Sequence, residues 1–298
     1  AANPDAAAIG VSILESGGNA VDAAVAVSFA LGLVEPHASG PGGCGYALYA
    51  PHNGEALFFD YRSVAPMAID AEAFMLFSEA ERKNSIKAAG IPGAVAGWLT
   101  LHESYGSMPL AQLLEPTISL AEDGFKVTQT LSSNMSEQYE KLSADEVCSE
   151  LYLNSGLPYS VGDILKNPDY GKMLRLLSQF GAEAFYNGEI ANAIVFASEQ
   201  KDGWFTADDL KAYKVLKTAP IRSTYRGYTL LTAAPSSSGG VGLAECLNIL
   251  ELYNLKYLGQ NSAETLHLIA EALKLAHIDR YYYIGDLRFE AMPVQTLI

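Results

Sequence analysis

Residues 20–34 read Ala-Val-Asp-Ala-Ala-Val-Ala-Val-Ser-Phe-Ala-Leu-Gly-Leu-Val, and a helix drawn through them is apolar on nearly all sides. Such a helix has to be covered all round, so it belongs in the middle of a fold. Its small residues allow close packing against a sheet. Asn19 is placed to cap it, with Asp22 three residues on as a weak capping-box variant. Asp22 and Ser28 interrupt the run, which is too short to span a bilayer. A chain of 298 residues, 49% hydrophobic, can supply the covering. At this size about 75% of the unfolded surface is buried, as one large domain or two small ones.

After the buried helix comes a glycine-rich loop, Ser39 to Gly45, and then two apolar strands, Tyr46–Ala50 and Ala56–Phe59. Asn53-Gly54 between them predicts a type I′ hairpin turn, in which both central residues need positive φ. Arg62 stands just past the second strand. A lone cation there is well placed to grip a carboxylate, because its planar fork donates two parallel hydrogen bonds. An ordinary surface arginine, or one paired with Asp60, is the competing reading.

The rest of the chain alternates helix and strand signals. Asn3-Pro4-Asp5 predicts a helix start, with the helix running to about Ser16 and stopping at Gly17-Gly18. Residues 63–89 are irregular or weakly helical. Helices are expected over Ala94–Ser104, Pro109–Asp123 (split or kinked by Pro116), Tyr170–Phe180 and Glu189–Gln200. Residues 128–168 read as short helices and surface loop. A short helix starts at Thr206. Ile221–Tyr225 and Tyr228–Ala233 form a second strand pair turned at Arg226-Gly227, and a Pro-Ser-Gly loop, 235–240, feeds a helix over Val241–Leu252. The last helix runs from Ser262 to about Ile284. The chain enters a helix at once and has no strong stop after Asp286, as a piece of a longer protein would.

The net charge is −15, from 34 acidic and 19 basic residues. That balance repels phosphate backbones, so nucleic acid is not an expected partner. The three cysteines, Cys44, Cys148 and Cys246, have no metal-type spacing, and an odd number leaves at least one free thiol.

Several patterns invite chemistry. Gly40, Gly42 and Gly45 match G-x-G-x-x-G, but a helix precedes them and a strand follows, the reverse of a dinucleotide site. Ser236, Ser237 and Ser238 lack the G-x-S-x-G frame of a nucleophile elbow. They do precede a helix N-terminus, where backbone N–H groups favour an anion. Ser237, Ser238 and Gly239 are therefore candidate site-lining residues, with a simple capped loop as the alternative. Ser198-Glu199-Gln200-Lys201 matches S-x-x-K without its companion motifs. His267 and Glu271 share a helix face with no H-E-x-x-H, which favours a structural hydrogen bond over a metal site. His37, before the glycine loop, reads as packing. The residues alone yield no complete catalytic constellation.

Read together, the motifs resemble the large subunit of the γ-glutamyltranspeptidases. The resemblance rests on Gly17-Gly18-Asn19-Ala20-Val21-Asp22-Ala23-Ala24, Val34-Glu35-Pro36-His37-Ala38-Ser39-Gly40 and Asp60-Tyr61-Arg62 with Ala65-Pro66. It continues through Gly90-Ile91-Pro92-Gly93-Ala94, Ala121-Glu122-Asp123-Gly124-Phe125, Ala184-Phe185-Tyr186-Asn187-Gly188, Tyr225-Arg226-Gly227-Tyr228, Pro235-Ser236-Ser237 with Ser238-Gly239-Gly240, and Asp279-Arg280.

The resemblance implies an α+β fold, the large-subunit part of the four-layer αββα sandwich of N-terminal-nucleophile hydrolases. Residues 1–298 would form a single domain, most of that subunit. Family precursors cut themselves, and the new N-terminal threonine of the small subunit is the nucleophile. No catalytic residue is then expected in this chain, and no metal or organic cofactor is implied. The implied partners are the small subunit of the same precursor, a γ-glutamyl donor such as glutathione, and an amino acid or peptide acceptor. Arg62 matches the arginine that binds the α-carboxylate of the γ-glutamyl group. Ser63 stands where many transpeptidases carry glutamate, which leaves the acyl donor open. The alternatives are a cephalosporin or glutaryl acylase on the same fold, or a non-catalytic binding relative. The family suggests a periplasmic or extracellular setting, with a cytoplasmic one also open.

Overall fold

The structure, a computed structural model, describes residues 1–298. The chain groups into two compact units: residues 1–45 with 61–215, and residues 46–60 with 216–298.

The first unit is built round the apolar helix. α1 (Pro4–Glu15) and α2 (Ala20–Val34) are joined at Gly17-Gly18 as expected. α3 (Ala94–Tyr105) and α4 (Leu110–Asp123) follow, then α5 (Pro168–Phe180). α2 packs against α1, α3 and α4, and α5 packs against α4. Val25, Ala26, Phe29, Ala30 and Val34 of α2 are fully buried. The Phe29 ring meets Trp98 of α3 edge-on at 4.8 Å, and Tyr170 of α5 donates its hydroxyl proton to the Phe29 carbonyl at 2.8 Å.

The capping box at Asn19 is complete: its side chain accepts from the Val21 and Asp22 N–H groups while Asp22 accepts from the Asn19 N–H. Asp22 also reaches the α3–α4 connection, accepting from the Ser107 N–H (3.0 Å), the Ser107 hydroxyl (2.5 Å) and the Met108 N–H (3.3 Å). The cap therefore doubles as a tertiary tie. α4 runs through Pro116 without a break, because proline removes one backbone donor and the packing of Leu113, Leu114, Thr117 and Ile118 holds the rest. Residues 63–89 hold two short capped helices, Ala71–Met75 and Glu79–Asn84. Residues 128–168 hold short helices as read, plus two-residue strands too short to leave a sequence period: Leu153–Asn154 pairs with Leu157–Pro158, and Ile164–Leu165 pairs with Phe125–Lys126.

The longer strands fall mostly in the second unit. β1 (Gly45–Tyr49), β2 (Leu57–Tyr61) and β3 (Leu216–Thr218) form one sheet in that order, with β2 antiparallel to β3 in the register Phe59↔Lys217. β3 was not legible in the sequence; three residues carry no alternation to read. The connection between β1 and β2 corrects the expected two-residue turn. It spans seven residues, 50–56, and Gly54 alone of the expected turn pair takes positive φ (+118°). The tight turn lies elsewhere. β4 (Ile221–Tyr225) and β5 (Tyr228–Thr232) are joined by Arg226 (φ +50°) and Gly227 (φ +83°), both left-handed as a type I′ turn requires.

α6 (Ser238–Glu251) starts three residues earlier than expected, because Ser237 caps it. It packs on β4 and on α7 (Ala263–Tyr283) round Cys246, Leu250, Ala272 and Ala276. All three cysteines are free. No helix is long and apolar enough to cross a membrane.

Candidate functional site

Arg62 is exposed and directly follows β2, which ends at Tyr61, two residues beyond the expected strand end at Phe59. Its backbone is held from several directions within the first unit. The Tyr213 hydroxyl donates to the Arg62 carbonyl at 2.9 Å. Val64 and Ile91 form an antiparallel bridge just beyond, with the Ile91 N–H on the Val64 carbonyl at 2.8 Å. Tyr213 itself stacks on Tyr186 with centroids 5.6 Å apart, and the Tyr186 hydroxyl donates to the Pro92 carbonyl at 2.8 Å while accepting from the Ala96 N–H. Gly93 lies where these groups meet: a β-carbon there would fall 2.0 Å from the Tyr213 hydroxyl and 2.2 Å from the Tyr61 carbonyl. The Gly-Ile-Pro-Gly motif is thus read structurally as the seat of the tyrosine that braces Arg62. A long side chain on so fixed a backbone loses less freedom when it engages a ligand.

Ser237, Ser238 and Gly239 lie in the second unit, at the start of α6. Ser237 is the cap and accepts from the Gly239 N–H at 3.3 Å; Ser238 and Gly239 are the first helical residues rather than loop. The preceding Ser236 donates its hydroxyl proton to Asp60 Oδ2 at 2.9 Å and lies 3.4 Å from the Tyr46 hydroxyl. Asp60, weighed from sequence as a partner for Arg62, is fully buried and has Ser236 and the Arg288 guanidinium (3.8 Å) against its carboxylate. Nothing local in the sequence signals the Asp60–Ser236 contact, which joins residues 176 positions apart.

The glycine-rich loop forms one wall of a cavity of about 610 Å³ in the first unit, with Trp98, Tyr61, Tyr152 and Cys44 among its lining. The remaining sequence patterns serve structure. Ser198 is fully buried and accepts from the Phe205 N–H at 3.2 Å, while Lys201 pairs with Asp145 at 2.5 Å, so the S-x-x-K residues are separately engaged. Ser107, His102 and Asp22 form a set that sequence reasoning missed. The Ser107 hydroxyl donates to the Asp22 carboxylate and His102 Nε2 faces the Met108 carbonyl at 2.8 Å, an arrangement that ties a turn and leaves the imidazole off the serine. No group of three or more His, Cys, Asp or Glu side chains is placed to hold a metal ion.

Residues 6–298 match the family described as Gamma-glutamyltranspeptidase. The chain is 38% identical to the glutathione hydrolase proenzyme of Pseudomonas sp. (strain A14), over 98% of this chain and 52% of that protein. It is 37% identical to the acylase ACY 1 proenzyme of Pseudomonas sp. (strain V22), over 99% of this chain and 55% of that one. Among solved structures, the γ-glutamyltranspeptidase of Helicobacter pylori superimposes with a TM-score of 0.97 at 35% identity, covering 100% of this chain and 87% of the other. The chain spans about half the length of the curated relatives it matches. The α+β fold class expected from sequence, the large-subunit part of an αββα N-terminal-nucleophile hydrolase, is the one this likeness gives.

Proposed function

The chain belongs to the γ-glutamyltranspeptidase family, and on that premise we propose that it is the large-subunit part of a self-cleaving precursor that transfers γ-glutamyl groups. The acyl group of glutathione or a related amide passes to an N-terminal threonine supplied by the other half of the precursor, then to water, an amino acid or a peptide. Residues 1–298 serve that subunit as one domain. Arg62 binds the α-carboxylate of the donor. Ser237, Ser238 and Gly239, at the start of α6, are proposed as site-lining residues of the second unit.

The observation that carries the reading is the match across almost the whole chain, with Arg62 mounted on a braced strand end within it. A guanidinium fork needs a fixed base to meet a carboxylate with two parallel hydrogen bonds, and the Tyr213–Gly93 seat supplies one. The test is chromogenic amine release from a γ-glutamyl anilide by the full-length gene product, with and without a dipeptide acceptor. Release that accelerates with acceptor supports transfer. Release indifferent to acceptor supports a hydrolase.

A second reading, an acylase acting on another acyl group, is favoured by Ser63 directly after Arg62 and by the acylase relative. Protein that cleaves itself yet leaves the γ-glutamyl anilide intact, while hydrolysing a glutaryl or cephalosporin amide, would establish it.

A further inference from the structure

The helix Gln129–Glu137 and the residues just after α2 enclose a second cavity in the first unit, of about 180 Å³. Its surface is almost wholly apolar: Leu131 and Met135 are buried, and Leu142 and Pro36 add to the walls. An apolar cavity of about 150 Å³ stays dry and takes a benzene molecule. This pit is therefore the size of one aromatic ring. His37 borders it but is itself exposed, so its charge is screened by water.

The pit shares Pro36 and Tyr152 with the 610 Å³ cavity beside the glycine-rich loop. That larger space falls within the range of small-molecule sites, roughly 300–1,000 Å³. Its lining contains no Asp, Glu, Lys, Arg or His side chain. An ion buried there would lose its water and find no opposite charge, so the lining selects an uncharged ligand. The walls are fixed before anything binds. The Gly43 N–H donates to the Gly40 carbonyl at 3.0 Å, and the Gly43 carbonyl accepts from the Gly93 and Ala94 N–H groups, each at 3.0 Å. Gly32 lies so close to the loop that a β-carbon would fall 3.0 Å from Gly40 Cα. Preformed walls lower the ordering cost of binding.

Tyr152 stands where the two cavities meet. It is half-buried, and its hydroxyl makes no hydrogen bond within the protein. Burial pushes its pKa up to about 12, so it keeps its proton at neutral pH. A tyrosine hydroxyl taken this far from water ordinarily has a partner. Here the partner has to come from the space it borders, and it has to be an acceptor.

We propose that the joined cavities form a binding site for a neutral aromatic amide, with its ring in the pit against Leu131 and Leu142 and its carbonyl accepting from the Tyr152 hydroxyl. The inference rests on the cavities and not on the γ-glutamyl reading.

The test is titration calorimetry of the full-length, self-cleaved protein with N-benzylacetamide. Binding to one site per chain is expected, with a negative heat-capacity change from burial of the ring. Acetamide lacks the ring, while phenylacetate and benzylamine keep it and carry a charge. Each is expected to bind about tenfold more weakly or worse. Tyr152→Phe removes the hydroxyl and breaks no bond within the protein. It is expected to weaken N-benzylacetamide about fivefold, the loss of one neutral hydrogen bond. Leu142→Trp fills the pit from a part-buried position and is expected to abolish binding.

Wild-type protein that does not bind N-benzylacetamide overturns the proposal, and does so equally if the other half of the precursor occupies the cavities. Phenylacetate or benzylamine bound as tightly as the amide overturns the selection for a neutral ligand. Unchanged affinity in Tyr152→Phe overturns the hydroxyl contact even if Leu142→Trp fails to fold. Unchanged affinity in both variants places the binding elsewhere and overturns the site.

Discussion

At the scale of the residue, the proposed donor grip depends on one side chain and on the backbone beneath it. Arg62→Ala removes a charge-assisted bidentate contact. KM for a γ-glutamyl anilide is expected to rise about ten- to hundredfold. An unchanged KM would remove Arg62 from the site. Arg62→Lys should recover little, because a point charge cannot reproduce the fork. Gly93 tests the base of the same device. An alanine β-carbon would collide with the Tyr213 hydroxyl and the Tyr61 carbonyl, so Gly93→Ala is expected to cost about 1–3 kcal/mol in urea unfolding of the self-cleaved protein. It should also weaken donor binding, since Tyr213 must leave the Arg62 carbonyl to make room. Wild-type stability in this variant would show that Tyr213 does not brace the strand end.

At the scale of the element, two buried carboxylates make opposite predictions with pH. Burial alone would raise the pKa of Asp22, but hydrogen bonds from Ser107, Asn19 and Met108 outweigh it and hold the carboxyl below its ordinary value. A lowered folded pKa adds stability above the unfolded value and loses it as pH falls below about 4. Asp22→Asn leaves at least one of those donors without its charged acceptor and is expected to cost about 1–3 kcal/mol near neutrality, less in acid. Glu245, in the α6–α7 contact, behaves the other way. Burial pushes its pKa up to about 7, Asp279 adds like-charge repulsion, and one carboxylate oxygen is buried without a hydrogen-bond partner. A raised folded pKa means that stability is lost as pH rises from the unfolded value, about 4.3, through 7. Glu245→Gln cannot ionise. It should flatten that decline and add on the order of 3 kcal/mol at pH 8, read from urea unfolding at several pH values. A variant that still loses stability over that range would place the titration elsewhere.

At the scale of the whole molecule, the two units differ in how much apolar surface they leave open. α7 buries Thr265, Ala272 and Ala276, yet Leu273, Leu275, Ile278, Tyr281 and Tyr282 on its other faces remain exposed. β1 and β3 are the edge strands of their sheet. Exposed apolar helix faces and unpaired strand edges invite association. The 298-residue chain made alone is therefore expected to bind a hydrophobic dye strongly and to associate with rising concentration in sedimentation. Supplying the other half of the proposed precursor should suppress both. A chain that stays monomeric and dye-silent by itself would show that these faces need no such cover.

What the sequence determined by itself was local, or repeated along the whole chain. Capping at Asn3 and Asn19, the Arg226-Gly227 turn and the buried character of residues 20–34 are each decided by residues within one or two helical turns. The family could be read because many motifs recur in order from Gly17 to Arg280. Tertiary structure decided the rest. Asn53-Gly54 carries the composition of a tight turn, but the ends of β1 and β2 are fixed by sheet pairing, which leaves seven residues to connect them. β3 is a strand only because β2 offers it a partner. Asp60 meets Ser236 across 176 positions, and Tyr213 braces Arg62 across 151. No local propensity encodes such pairs. They exist because closing a long loop adds little entropy cost once the core has formed, so distant groups can satisfy one another where neighbours cannot.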